Sequence, residues 1–150
     1  MKEKVTIREF TYPDKEAIIS IFRLNTPQYF SPIEETDLTH YLENEIEEYY
    51  VLEVGGKVIG GGGINIAEDK ITGKISWDLL HPLYQGQGFG TFLLKYRLER
   101  LSKLKGIQKI TVRTSQLVYR FYEKSDFKLV ETVKDYWAEG FDLYKMIYSR

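Results

Sequence analysis

The chain has 150 residues, 43% of them hydrophobic and 29% charged, with a net charge of −1 and no cysteine. That length and apolar content suit one domain with a full core, and the lack of cysteine excludes disulfides, thiolate metal sites and catalysis through an enzyme thiol. The near-neutral total conceals opposite halves, since residues 1–75 hold 8 Lys and Arg against 14 Asp and Glu while residues 76–150 hold 13 against 8.

Met1-Lys2-Glu3-Lys4 is charged and opens no long apolar run, so neither a signal peptide nor a membrane span is expected, and a cytoplasmic protein is. Alternation in Val5 to Phe10 predicts a first strand, and Pro13-Asp14 opens a helix to about Leu24 on Ala17, Ile18, Ile21 and Phe22. Asn25 to Pro32 reads as a loop carrying Tyr29 and Phe30, followed by an acidic helix from Thr36 to about Glu47. Tyr49–Val54 and Lys57–Ile66 form a hairpin about Gly55-Gly56, and Gly60–Gly63 inside its second strand marks a bulge or a very close approach. Lys74–Leu80 is the next strand, with Lys74, Ser76, Asp78 and Leu80 on one face and Ile75, Trp77 and Leu79 on the other. A helix to about Leu104 buries Phe92, Leu93, Leu94, Leu98 and Leu101 and leaves its Lys and Arg outside. Ile107–Arg113 is a strand, Gln116–Lys124 a short helix, and Phe127–Val133 and Phe141–Tyr148 the last two strands. No repeat, linker or boundary interrupts a single domain over residues 1–150.

Between strand and helix stands Leu80-His81-Pro82-Leu83-Tyr84-Gln85-Gly86-Gln87-Gly88-Phe89-Gly90-Thr91. Three alternating glycines let backbone come close to a ligand, and the helix start adds unpaired N–H groups and a positive dipole end, a setting for a pyrophosphate. The dinucleotide fingerprint fails because Thr91 stands where its third glycine belongs, and Gly56-Lys57 and Gly73-Lys74 lack the rest of an NTPase phosphate loop.

Gln85-x-x-Gly88-x-Gly90 resembles the acetyl-CoA signature of the GNAT superfamily of N-acyltransferases, and Phe121-Tyr122-Glu123-Lys124-Ser125-Asp126-Phe127 looks like that family's second hallmark. The resemblance covers residues 74–133 and implies an α+β (α/β) fold, a central mixed, mostly antiparallel sheet of about seven strands flanked by about four helices. It implies an acetyl-CoA-dependent N-acetyltransferase acting on a primary amine, of a small molecule or a protein, in a ternary complex.

Such a transfer needs a cradle for the donor, a neutral amine, stabilisation of the oxyanion and a proton for the departing thiolate. The resemblance places the cradle on Gln85, Gly86, Gln87, Gly88, Phe89, Gly90 and Thr91, with the Gln85 side chain over the phosphates, and the acyl-carrying arm on the backbone of Asp78, Leu79 and Leu80. Tyr122 is the expected general acid, a phenol of pKa ~10 facing a thiol of pKa roughly 8.5; its spacing with Val118 and Phe121 also suits a core tyrosine. Ser115 stands where relatives carry an asparagine that bonds the cofactor arm, and Asp126 replaces the usual glycine of the second motif. Asp78 is the carboxylate available as a general base, with a chain of waters as the alternative. Tyr29, Phe30, Tyr136 and Trp137, the last two expected between the final strands, would line the acceptor pocket or else bury a homodimer contact.

The basic half would receive the anionic cofactor and the acidic half a cationic acceptor, against the plainer reading of solvated faces. Nucleic acid is not an expected partner, since the pI is near 6.2 and no basic cluster stands out. A metal site is not expected with only two distant histidines, His40 and His81, nor covalent catalysis without a cysteine or a Ser-His pairing. A CoA-binding sensor or interaction module without turnover stays open as the alternative.

Overall fold

The computed structural model describes residues 4–149, so the charged Met1–Glu3 lie outside the described residues. Strand β1 (Val5–Glu9) leads into helices α1 (Lys15–Leu24) and α2 (Glu35–Asn44) and the hairpin of β2 (Glu48–Val54) and β3 (Lys57–Ile66). Then come β4 (Thr72–Leu80), α3 (Phe89–Ser102), β5 (Lys109–Thr114), α4 (Tyr119–Glu123), β6 (Phe127–Ala138) and β7 (Phe141–Tyr148). All seven strands join one sheet in the order β1-β2-β3-β4-β5-β7-β6, antiparallel except for the β4–β5 pair. The described residues therefore form the expected α+β architecture of seven strands and four helices. None of these helices is long and apolar enough to cross a membrane.

Strand β2 is apolar on both faces because the sheet is covered on both. Tyr50, Leu52 and Val54 pack with Leu93, Leu94, Leu98 and Leu101 of α3 and Tyr122 of α4. Tyr49 and Val51 face Ile18, Ile21 and Phe22 of α1 and Leu38 and Leu42 of α2. Each such large side chain, once buried, contributes roughly 1.5–3 kcal/mol. The Gly55-Gly56 turn has φ of +58° and +79°, the left-handed pair that a tight hairpin of matching twist requires.

Helix α4 begins at Tyr119 and not at Gln116, and four further details depart from the sequence expectation. Helix α2 ends at Asn44, because the chain turns there to let the Glu45 carbonyl accept from the Asn65 amide at 2.8 Å and the Glu47 carboxylate from the Ile66 N–H at 2.9 Å. In α3, Phe92 is on the outer face at 46% exposure, while Arg97, expected outside, is wholly buried. Strand β6 runs on to Ala138, so Tyr136 and Trp137 lie within a strand and not in the connection; a register shift at Asp135, with φ of +54°, lets the ladder resume at Ala138 opposite Phe141.

The last of these shapes the site. Gly61 pairs with Leu79 and Gly63 with Ser76, so β4 carries one extra residue opposite Gly62, and Trp77 takes a φ of +46°. This bulge reverses the alternation: Ile75 and Leu80 pack on the α3 side, whereas Trp77 and Leu79 pack on the α1 side. Asp78 is thereby turned away from the face of Ser76, where simple alternation put it, and toward α3.

Candidate active site

Strand β4 ends in a short turn in which His81 Nδ1 accepts from the Leu83 N–H at 3.1 Å. Gly86 and Gly88 follow with φ of +76° and +89°, a conformation L side chains rarely adopt, and Gly88 caps the first turn of α3. A Cβ at either glycine would meet nothing within 4 Å, whereas one at Gly90 would lie 3.2 Å from the Phe121 ring. The first N–H groups of α3 have no partner within the helix and emerge beside this open backbone. A cradle so shaped fits a pyrophosphate.

The Gln85 side chain is turned inward. Its amide donates to Asn25 Oδ1 and to the Leu80 carbonyl, both at 2.9 Å, while Asn25 donates to the Ile21 carbonyl at 2.9 Å and to the Leu80 carbonyl at 3.1 Å. Gln85 thus ties the turn to the end of α1, and Gln87 bonds the Leu83 carbonyl at 3.0 Å. Phe89 packs against the Tyr84 ring at 6.0 Å.

Strands β4 and β5 pair only from Thr72–Lys109 to Ile75–Val112, after which β5 continues against β7 and the two diverge. Two clefts open along the divergence. The smaller, about 460 Å³, is lined by Gly86, Gly88, Gly90, Thr91, Leu79, Leu80 and Gln85, with Arg120 and Lys124 at its side. The larger, about 850 Å³, runs past Ser76, Trp77, Thr111 and Ser115 to Glu34, Asp37, Glu45, Glu47, Trp137 and Phe141. Tyr29, Phe30, Asp78, Val118 and Tyr122 line both, so Tyr122 stands where the clefts meet. Arg120 and Lys124 accompany the glycine turn, while the larger cleft carries Glu34, Asp37, Glu45 and Glu47 together with Lys74 and Arg113.

Tyr122 is 3% exposed, its ring held edge-on by Phe121 and Phe127 at 5.0 and 5.7 Å. Its hydroxyl donates to Asp78 Oδ2, and the other carboxylate oxygen of Asp78 is paired with the Arg97 guanidinium. Burial above all, then the charge of Asp78 and the hydrogen bond to it, push the phenol well above its ordinary value, against the opposing charge of Arg97. Asp126 sits at φ +71°, the left-handed conformation expected of it beyond α4.

The remaining expected residues separate. The Ser115 hydroxyl accepts from the Leu117 N–H at 3.2 Å in the turn before α4, at the wall of the larger cleft. Phe30 is half-buried, stacked on Trp77 at 6.2 Å and tilted against Phe22 at 5.5 Å. Trp137 donates to the Thr114 carbonyl at 3.0 Å and lines the larger cleft; Tyr136 is exposed, lines neither, and stacks under the Arg113 guanidinium at 4.9 Å. Three residues not singled out in the sequence take structural places here: Asn25, Arg97 and Glu34. Glu34 had a legible signal, Ser31-x-x-Glu34, the pattern of a capping box: its carboxylate accepts from the Ser31 N–H at 2.9 Å, and burial holds it above the usual carboxylate range.

A family model described as Acetyltransferase (GNAT) family matches residues 16–127. The chain belongs to the GNAT family. Its likeness extends to an amino-acid acetyltransferase of Pasteurella multocida (strain Pm70), 27% identical over 136 residues that cover 87% of this chain and 29% of that protein. The chain thus spans less than a third of that relative's length. An N-alpha-acetyltransferase of Sulfurisphaera tokodaii (strain DSM 16993 / JCM 10545 / NBRC 100140 / 7) is 28% identical across 93% of this chain and 90% of its own. The solved N-acetylglutamate synthase from Neisseria gonorrhoeae, complexed with coenzyme A and N-acetyl-glutamate, shares the fold with a TM-score of 0.72 and 20% identity, over 100% of this chain and 36% of that one.

Proposed function

We propose that this GNAT-family chain transfers the acetyl group of acetyl-CoA directly to a primary amine, both substrates being bound together and Tyr122 acting as general acid. The observation that carries this reading is that Tyr122 lines both clefts, one of which ends in the open glycine turn at the start of α3. In it, the backbone N–H groups of Gly86–Thr91 hold the donor's pyrophosphate, Arg120 and Lys124 add positive charge, and the diverging edge of Leu79 and Leu80 receives the acyl-carrying arm. Acetyl-CoA supplies the thioester, already activated for attack by an amine. Tyr122, kept protonated by burial and by Asp78, holds its proton until the thiolate departs.

The larger cleft receives the acceptor, and its carboxylates, Glu34, Asp37, Glu45 and Glu47, outnumber its cations, Lys74 and Arg113, which favours a cationic amine. The names of the relatives support an amine borne by an amino acid or a chain terminus. One observation favours a second reading, a CoA-binding module without turnover: both oxygens of Asp78 are already engaged, which leaves β4 without a free base. The experiment that separates them is thiol release from acetyl-CoA over a panel of amino acids, peptides and polyamines. Amine-dependent release that falls about 10²- to 10⁴-fold in Tyr122→Phe, with acetyl-CoA affinity kept, is the expected result; binding without release from any amine favours the module.

A further inference from the structure

We infer that Arg97 is a positioning residue, buried beneath the sheet to hold Asp78, which in turn fixes the Tyr122 hydroxyl where the two clefts meet. The inference rests on the reading of Tyr122 as proton donor. Arg97 is 0% exposed in the middle of an apolar stripe that contains Leu93, Leu94, Leu98 and Leu101. Burying a guanidinium there carries a large desolvation cost, and an apolar side chain of similar volume is often as stable or more so in such places. Stability alone therefore does not account for an arginine at this position.

Three separate features converge on its contact with Asp78. The β4 bulge turns Asp78 toward α3. Gly62 leaves the space in which the two groups meet, since a Cβ there would lie 2.4 Å from Asp78 Oδ1 and 2.6 Å from Arg97. Arg97 is itself fixed by hydrogen bonds to the Gly63 carbonyl at 3.1 Å and the Leu93 carbonyl at 3.3 Å. With one oxygen of Asp78 on Arg97 and the other on Tyr122, the carboxylate accepts from both sides. A carboxylate cannot donate, so the shared proton belongs to the phenol and points at Asp78, and what the pair fixes is the position of the phenol oxygen.

In the acid step the hydroxyl gives up its bond to Asp78 and turns this proton to the thiolate sulfur as the carbon–sulfur bond breaks. The phenolate left behind regains a proton from the one that the acceptor nitrogen gives up. Arg97 offsets the charge that Tyr122 carries in between, consistent with its opposing influence on the phenol.

A double-mutant cycle tests the pair. In the full chain, kcat and the KM for acetyl-CoA are measured for wild type, Arg97→Met, Tyr122→Phe and the double variant, with thermal unfolding as a control on folding. The expected result is a loss of about a hundredfold in kcat for Arg97→Met, the scale of misplacing a catalytic group by ~1 Å, with KM nearly unchanged. The same substitution should then cost nothing further in the Tyr122→Phe background, and Arg97→Lys should recover part of the loss. An equal loss in both backgrounds, or no loss in wild type, overturns the inference while leaving the acid role intact. Full turnover by Tyr122→Phe overturns the acid role itself and the inference with it. Should Arg97→Met not fold, Arg97→Lys carries the same cycle with the same deciding comparison.

Discussion

The two glycine-rich stretches of this chain, Gly60–Gly63 in β3 and Gly86–Gly90 before α3, are alike in composition and opposite in surroundings. At the first, an added Cβ would fall 2.6 Å from the Leu79 carbonyl at Gly60, 2.7 Å from the Tyr49 ring at Gly61, 2.4 Å from Asp78 at Gly62 and 2.6 Å from the Tyr41 hydroxyl at Gly63. At the second, Gly86 and Gly88 face nothing within 4 Å, yet both hold positive φ. The protein fills the first stretch with its own groups, two tyrosines on one face and the Arg97–Asp78 pair on the other. It leaves the second as bare backbone next to a helix start, which suits a ligand from outside.

Substitutions that break this contrast should differ in kind. The largest effect is expected from Gly62→Ala, whose methyl has no free volume between Asp78 and Arg97. Such overpacking costs about 1–3 kcal/mol or more, and urea unfolding should show a lowered midpoint together with a loss of turnover. Gly88→Ala should cost less stability, about 1–2 kcal/mol for a left-handed L-residue, but should weaken acetyl-CoA binding, read by calorimetry. Gly88→Asn, which tolerates that conformation better, should restore most of the stability and less of the affinity.

A smaller effect, on pH dependence, sharpens the same comparison. Tyr41 and Tyr49, the rings seated over Gly61 and Gly63, are both pushed up, by burial first. Below the ordinary phenol value of ~10 both folded and unfolded chains keep these protons and the full stability is present; above it only the unfolded chain ionises, so stability falls as pH rises. Tyr49→Phe should flatten the alkaline arm of a stability profile measured between pH 8 and 11. A slope unchanged by that substitution would show that the ring is not held neutral by its place over the glycines. The second stretch contributes no such dependence, and its variants should leave the arm as it is.

Most of the architecture was legible because each element obeys one period. The apolar run Tyr49–Val54, the Gly55-Gly56 turn and the leucines of α3 place themselves. What was not legible is a change of period. One extra residue at Trp77 moves Asp78 to the opposite face, and nothing in Lys74–Leu80 announces it except the glycines on the neighbouring strand. Arg97 shares the stripe of Leu94, Leu98 and Leu101, but a charge at such a position reads as solvent-facing until its buried partner is known. Lys134-Asp135 resembles a turn, and only the resumed pairing of Ala138 with Phe141 shows that β6 continues. The open glycine turn was legible by spacing, whereas the inward direction of Gln85 depends on Asn25, which lies 60 residues away in the chain.

The most direct test of the contrast is thermal unfolding of the chain with and without millimolar acetyl-CoA. A ligand at ~100 times its dissociation constant adds about 2.7 kcal/mol, which for a domain of this size raises the melting temperature by several degrees. That rise is expected for the wild type, with a markedly smaller one for Gly88→Ala. An unchanged melting temperature in the wild type would contradict the contrast, and would make the open glycine turn no more than a route from strand to helix.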